Sequence, residues 1–451
     1  MAAAGGAQPN WSSRFAFLMA SVGFAVGLGN IWRFPYVAGE NGGAAIVLVD
    51  LACAFGIVVP LLMAELMVAR RGQGSPPTAM ANVAEQSGRS RHWKWVGGMG
   101  LLAAFVIEIV YSGIVGWVLW YLFKAITTGF AGMDAVSAVS EFEGMLANTG
   151  GMLFWALLGL VITGLIIYFG VQDGIERAVR IMMPVLFCLL VGLAIYNVFA
   201  GGFGRAIEWL FTPDFSKISG GTVLIAVSQA FFSIGVAMGG MMTFGSYLPR
   251  SISISHSVLI IVVADTLVAL LAGLVIFPAV FHHGLDPAAG PGLIFQTLPV
   301  AFAQMPGGHI FSVLFFLMLS VAGSTSMVGL IETVTHWVEE KYGIVRHRSA
   351  LAVVGSIGVL CTLSLMSYNT LQDIAVGGMN FNALLEYLYE KILLPLGGLL
   401  IAVCTGWVIR KEHTRDEFTT LNAAMYELWH FLIRFIVPPA VLIIFVMGVL
   451  G

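Results

Sequence analysis

Apolar runs of about 20 residues recur from one end of the chain to the other, each the length of a helix that crosses a bilayer core. Read at that length, they predict eleven spans near 14–37, 43–69, 96–123, 152–170, 179–200, 222–247, 256–281, 309–338, 350–367, 383–409 and 427–450. Two of the runs are interrupted. In the first, GFAVGLGNIWRFP (Gly23–Pro35) sets three glycines, an asparagine, an arginine and a proline where a spanning helix favours leucine. In the sixth, QAFFSIGVAMGGMMTFGSY (Gln229–Tyr247) carries Gly235, Gly239 and Gly240 with small Ser233 and Ala237 between them.

Glycines in membrane helices often serve close helix packing. Two Gly-interrupted clusters in corresponding places of two halves point instead to a transporter built from inverted repeats. The physical reason is that irregular backbone in hydrocarbon is tolerated only where it lines a cavity or meets a ligand. Unwinding frees carbonyls for a cation or ammonium and exposes half-helix amides that favour a carboxylate. The stretch between Phe281 and His309 is long, Gly/Pro-punctuated and still apolar, and is expected to fold back on the protein as a lid. Its tandem His282–His283 lacks spaced partners and reads as interfacial loop histidines before it reads as a metal site.

Composition supports a chain solvated mainly by lipid. Of 451 residues, 59% are apolar and 10% charged, with a mean hydropathy of +0.92; soluble domains carry about 25% charged residues. No linker or low-complexity stretch divides it, so one polytopic domain is expected over 1–451. The net charge of −3 matters less than where the charges fall. With the N-terminus in the cytoplasm, Arg14, Arg70, Arg71, Arg89, Arg91, Lys94, Arg177, Arg180, Arg250, Lys341, Arg346, Arg348, Arg410, Lys411 and Arg415 all fall inside, against Lys124, Arg205 and Lys217 outside. No basic n-region precedes the first span, so no cleaved signal peptide is expected. Cys53, Cys188, Cys361 and Cys404 lie in apolar spans and imply buried thiols, not disulfides.

The stretch GFAVGLGNIWRFPYVAGENGG closely resembles the first-helix signature of the neurotransmitter:sodium symporter family. The resemblance continues in order through PLLMAE (Pro60–Glu65), VYSGIVGW (Val110–Trp117), QAFFSIGVAMG, AGSTS (Ala322–Ser326) and ILLPLGGLLIA (Ile392–Ala402). It implies an all-α membrane protein of LeuT type, a 5+5 inverted repeat with discontinuous first and sixth helices. The repeats would cover 1–200 and 201–410, and 411–451 would add a cytoplasmic loop and an eleventh span, as in short bacterial members of the inner membrane. The implied partners are an amino acid, Na+ and the lipid bilayer, with no nucleic acid, in a monomer or weak homodimer.

The resemblance implies two Na+ sites. The first uses the Ala25 carbonyl, Asn30, Ser233, Asp265 and the substrate carboxylate. The second uses the carbonyls of Gly23, Val26 and Ala322 with the hydroxyls of Thr325 and Ser326. Hard oxygen donors of this kind suit Na+, although hydroxyls on a helix also bond back to their own backbone. The substrate carboxylate falls to the amides near Leu28 and Gly29 and to Tyr111. The substrate's side chain falls to a pocket of Phe24, Ile107, Phe232, Gly235, Met238, Ser326 and Leu330, with Ala25 and Ser233 at its edge. The outer gate is expected to pair Arg33 with Glu386, since an intramembrane arginine is costly without a partner. The inner gate is expected to involve Trp11, Tyr247, Glu332 and Glu340. Gln8 stands where relatives place an arginine that pairs near Glu340, and Arg14 is the available substitute.

Departures from the family pattern sharpen the expectation. Gly27 replaces the aspartate of amine-carrying relatives, so the cargo must bring its own carboxylate, as an amino acid does. Asp265 stands where many members have asparagine, Asp50 where chloride-dependent relatives have tyrosine, and Ala269 where they have serine. A fixed carboxylate supplies the charge that chloride supplies elsewhere, so no chloride requirement is expected. Gly235 and Met238 leave a pliable pocket floor suited to a bulky apolar or aromatic amino acid, unless Phe24 refills it. Glu108, one turn before Tyr111, would pair with a basic substrate, titrate, or pack protonated. The function expected is sodium-coupled amino acid import; proton coupling on the same fold and a substrate sensor are the alternatives. No nucleophile elbow, phosphate loop or metal-ligand spacing supports an enzyme.

Overall fold

The computed structural model describes residues 10–450, whose regular elements are all helices, without a strand among them. The first run folds as two pieces, α1 (Arg14–Ala25) and α2 (Gly29–Glu40), bent by 44°. There follow α3 (Ala44–Gly72), a short α4 (Pro76–Gln86) and α5 (Arg91–Thr127). Next come α6 (Ala135–Ala147), α7 (Thr149–Tyr168), α8 (Val171–Ala200) and α9 (Phe203–Phe211).

The sixth run is broken more widely, as α10 (Gly220–Ile234) and α11 (Gly240–Ser246), with residues 235–239 unwound between them. The chain continues through α12 (Ile254–His282), α13 (Leu293–Gln304), α14 (Gly308–Tyr342), α15 (Arg346–Met366), α16 (Phe381–Val408), α17 (Lys411–Glu417) and α18 (Ala423–Leu450). Among the described residues nine helices are long and apolar enough to cross a membrane, and the bent α1–α2 pair makes a tenth. The interrupted α10–α11 segment brings the runs to the eleven that the hydropathy pattern predicts.

Burial separates the roles of these helices. The most apolar windows of α5 and α14 are more than four-fifths buried, whereas less than a fifth of that of α18 is. Long apolar helices that are buried on all sides form a core, and the exposed ones present a lipid face. The core helices α5 and α14 pack beside the two broken spans, so the breaks lie at the centre of the molecule. The predicted lid is present as well. It forms α13, and the Trp32 indole donates to the Pro291 carbonyl at its approach (3.2 Å) while the Tyr121 hydroxyl donates to Phe295 (2.7 Å).

Candidate functional site

A break inside a membrane must find partners for the backbone groups it frees. In the first, the Gly27 N–H donates forward to Asn30 Oδ1 (3.1 Å), not back along the helix, and the Leu28 N–H donates to the Tyr111 hydroxyl (3.1 Å). The Phe24 carbonyl accepts from Ser326 Oγ (3.2 Å), and the Gly29 carbonyl accepts from Gln229 Nε2 (3.0 Å). In the second break, Gly235 (φ 74°) and Gly239 (φ 74°) take left-handed backbone without strain, but Ala237 (φ 62°) takes it with a Cβ. The Ala237 N–H is held at 2.6 Å by Oε1 of Glu65, a fully buried carboxylate on α3.

Between the breaks lies a small, tightly packed cavity. Every pocket residue expected from the sequence lines it except Leu28, and Gly27 joins them. Leu28 turns its side chain toward a larger outer cavity of about 1150 Å³ that also includes Arg33, Tyr368, Glu386 and Glu390. The pocket floor is less open than Gly235 and Met238 imply. A Cβ at Gly235, Gly240 or Gly329 would stand 2.7, 2.4 or 2.1 Å from the Phe24 ring, so that ring fills the space the glycines leave.

Two polar clusters flank the cavity. In one, Asn30 Nδ2 donates to Ser233 Oγ (2.9 Å) and to Asp265 Oδ1 (2.7 Å), while Ser233 Oγ lies 3.2 and 3.0 Å from the two Asp265 oxygens. All three residues are buried, from three separate elements. In the other, Thr325 Oγ1 donates back to the Ala322 carbonyl (2.9 Å), and the Thr325 side chain lies against Gly23, where a Cβ would stand 3.4 Å from it. Asp50 stands within electrostatic reach of Asp265 and Arg33, and its Oδ1 is buried without a hydrogen-bond partner. Glu108 is outside the cavity lining. Its Oε1 accepts from Ser112 Oγ (3.0 Å) and its buried Oε2 has no partner, so the structure does not place it against a substrate.

The outer gate corrects the sequence expectation. Arg33 pairs with Glu390 (3.2 Å), not with Glu386, and its guanidinium also lies 4.8 Å over the Phe232 ring. Glu386 accepts from Asn382 Nδ2 (3.0 Å) instead. The two acids are one helical turn apart on the same face of α16, so spacing alone could not choose between them. On the opposite side Trp11 anchors the chain through its indole N–H to the Phe244 carbonyl (2.9 Å), and Tyr247 donates to Glu332 Oε1 (2.9 Å). The cation on this side is Arg346, which pairs with Glu332 and with Glu339 (3.2 Å). Arg14 is exposed and makes no ion pair among the described residues, and Glu340 accepts from the Ser75 N–H (2.7 Å). Gln8 lies outside the described residues.

Sequence reasoning left out Glu65, Glu390, Arg346 and Gln229 as functional residues. A lone acid inside the apolar run PLLMAE was the available signal for Glu65. Nothing local to Arg346 gave one, because its partners come from a different helix.

A broken-helix pair around a small cavity, with carboxylate, hydroxyl and carbonyl oxygens converging, now stands beside the known proteins. The family model for the sodium:neurotransmitter symporters matches residues 8–141 and 137–451. The chain belongs to that family. A sodium-dependent transporter of Bacillus subtilis (strain 168), YhdH, is 34% identical over 96% of each chain, and one of Haemophilus influenzae is 31% identical over 97% and 98%. The crystal structure of MhsT in complex with L-phenylalanine superposes with a TM-score of 0.90 at 37% identity, covering 98% of this chain and all of that one. This family member is therefore a multi-span membrane protein of the LeuT fold and a sodium-dependent transporter, not an enzyme.

Proposed function

We propose that the protein is a Na+-coupled symporter that imports a bulky apolar or aromatic amino acid by alternating access, without requiring chloride. The observation that carries the reading is the seat between the breaks: the Leu28 N–H and the Tyr111 hydroxyl face each other beside a closed apolar pocket. A substrate carboxylate would take both as donors, and its side chain would lie against Phe24, Ile107 and Met238. MhsT, with its bound phenylalanine, is the relative whose ligand has this chemistry.

Asn30, Ser233 and Asp265, with the Ala25 carbonyl, supply the hard oxygens of a first Na+ site that the substrate carboxylate completes. Asn30 now turns Nδ2 to Asp265; a rotation of the amide brings Oδ1 to the ion in its place. The carbonyls of Gly23, Val26 and Ala322 and the hydroxyls of Thr325 and Ser326 supply a second. Each Na+ that crosses the full field contributes about 2.3 kcal/mol per 100 mV to accumulation. The repeats 1–200 and 201–410 would rock about this seat in the cell membrane, N-terminus inside, with the ion pairs Arg33–Glu390 and Arg346–Glu332 closing alternate doors.

Asp50, within electrostatic reach of Asp265, supports chloride independence, because it puts a carboxyl group where chloride-dependent relatives have a chloride ligand. A proton-coupled variant of the same cycle is favoured by one observation, the unpartnered Oε2 of Glu108. Uptake of labelled phenylalanine into proteoliposomes separates the readings. A Na+ gradient should drive it, gluconate should replace chloride without loss, and a proton gradient alone should not suffice. Uptake driven equally by protons without Na+, or lost without chloride, would overturn the proposal.

A further inference from the structure

We propose that a groove on the lipid-facing side of α5, α14 and α15 is a binding site for an anionic phospholipid. Gly98, Leu101 and Phe105 of α5, Trp337 of α14 and Val353 of α15 line an apolar groove of about 820 Å³. It lies apart from both the substrate cavity and the outer vestibule. A Cβ built on Gly98 meets nothing within 4 Å, so the floor is open there.

What selects the occupant is the charge at one end. Each of the three helices carries a cation one turn beyond the groove, on the face that lines it: Lys94 at i−4 from Gly98, Lys341 at i+4 from Trp337 and Arg348 at i−4 from Ala352. All three are exposed, and none makes a salt bridge among the described residues. Their neighbours are used up differently: Arg346 is paired with Glu332 and Glu339, and Arg91 with Glu85. Lys341 stands 4.6 Å over the Trp337 ring, and Lys94 stands 5.4 Å over Trp95, so each ammonium sits where aromatic belts meet headgroups. An acyl chain along the groove brings its phosphodiester to these three cations. A zwitterionic lipid would fill the groove without using them.

Native mass spectrometry of the whole protein, released from detergent with equimolar phosphatidylglycerol and phosphatidylcholine, tests the site. Surface cations favour anionic lipid by about fivefold each, so the wild type should retain phosphatidylglycerol selectively. The variant K94Q/K341Q/R348Q should lose at least roughly tenfold of that selectivity, whereas R14Q/R177Q/R205Q, on other helices, should keep it. Gly98→Phe and Ser356→Trp, which fill the groove from two helices, should each lose the retained lipid at a melting temperature close to wild type. Unchanged selectivity in the triple variant would overturn the proposal. So would full retention in both groove-filling variants, which would reduce the binding to headgroup attraction at the surface.

Discussion

Adding a single methyl at Gly27 is the most exacting perturbation of the substrate seat. The ideal Cβ of Gly27→Ala would stand 2.2 Å from Ser326 Oγ and 2.9 Å from the Tyr111 hydroxyl, where ordinary contact begins at 3.4 Å. Ser326 must therefore retreat by about 1.2 Å (3.4 less 2.2) and Tyr111 by about 0.5 Å (3.4 less 2.9). Both hydroxyls are committed, Ser326 to the Phe24 carbonyl and Tyr111 to the Leu28 N–H. Losing one or two such bonds costs about 0.5–1.5 kcal/mol each, and the overpacking adds about 1–3 kcal/mol. A total of about 1.5–6 kcal/mol, at 1.4 kcal/mol per decade, weakens phenylalanine binding by at least roughly tenfold. Equilibrium binding of labelled phenylalanine to purified protein in Na+ measures this, with the substrate-free melting temperature as a check on folding. Binding within threefold of wild type would refute the claim that the Leu28 N–H and the Tyr111 hydroxyl, which a side chain at position 27 would crowd, hold the substrate carboxylate. The same crowding leaves no room for a side chain at position 27.

Three further outcomes are expected. Glu65→Leu leaves the Ala237 N–H unpaired at a strained turn and should destabilise the protein by about 1–3 kcal/mol, with Glu65→Gln milder because it keeps an oxygen acceptor; equal melting temperatures for all three would contradict the support role of Glu65. In a double-mutant cycle on uptake efficiency, Arg33→Ala should couple to Glu390→Ala by about 0.5–3 kcal/mol and to Glu386→Ala by much less; the reverse order would restore Glu386 as the gate acid. Arg346→Ala strands the buried Glu332 carboxylate, a loss of about 3–5 kcal/mol in other buried pairs, and should open the inner side, read as faster thiol labelling of Ser246→Cys in a background without the native cysteines. Labelling at the wild-type rate would remove Arg346 from the gate.

The fold was legible because its signals are local. Span length follows from bilayer thickness, and the two breaks announce themselves through glycines in apolar runs. The family resemblance grouped Asn30, Ser233 and Asp265, and the structure brings the three together although they lie on three elements. What the sequence concealed depends on tertiary geometry. Glu386 and Glu390 differ by one turn, and only the reach of Arg33 across the vestibule selects the second. Arg346 joins a cluster whose other members, Trp11, Tyr247 and Glu332, come from three different segments of the chain. Gly235 and Met238 left open whether Phe24 refills the pocket floor; its ring does fill the space of three glycines, a relation that exists only once the breaks have packed.

The central claim is that Na+ binds at these oxygen clusters and thereby couples to the cargo. Its most direct measurement is the Na+ dependence of phenylalanine uptake into proteoliposomes for wild type, Asn30→Ala and Thr325→Ala. Removing one ligand from either cluster should raise the Na+ concentration for half-maximal uptake at least tenfold, about 1.4 kcal/mol or more. An unchanged Na+ dependence in both variants would contradict the account.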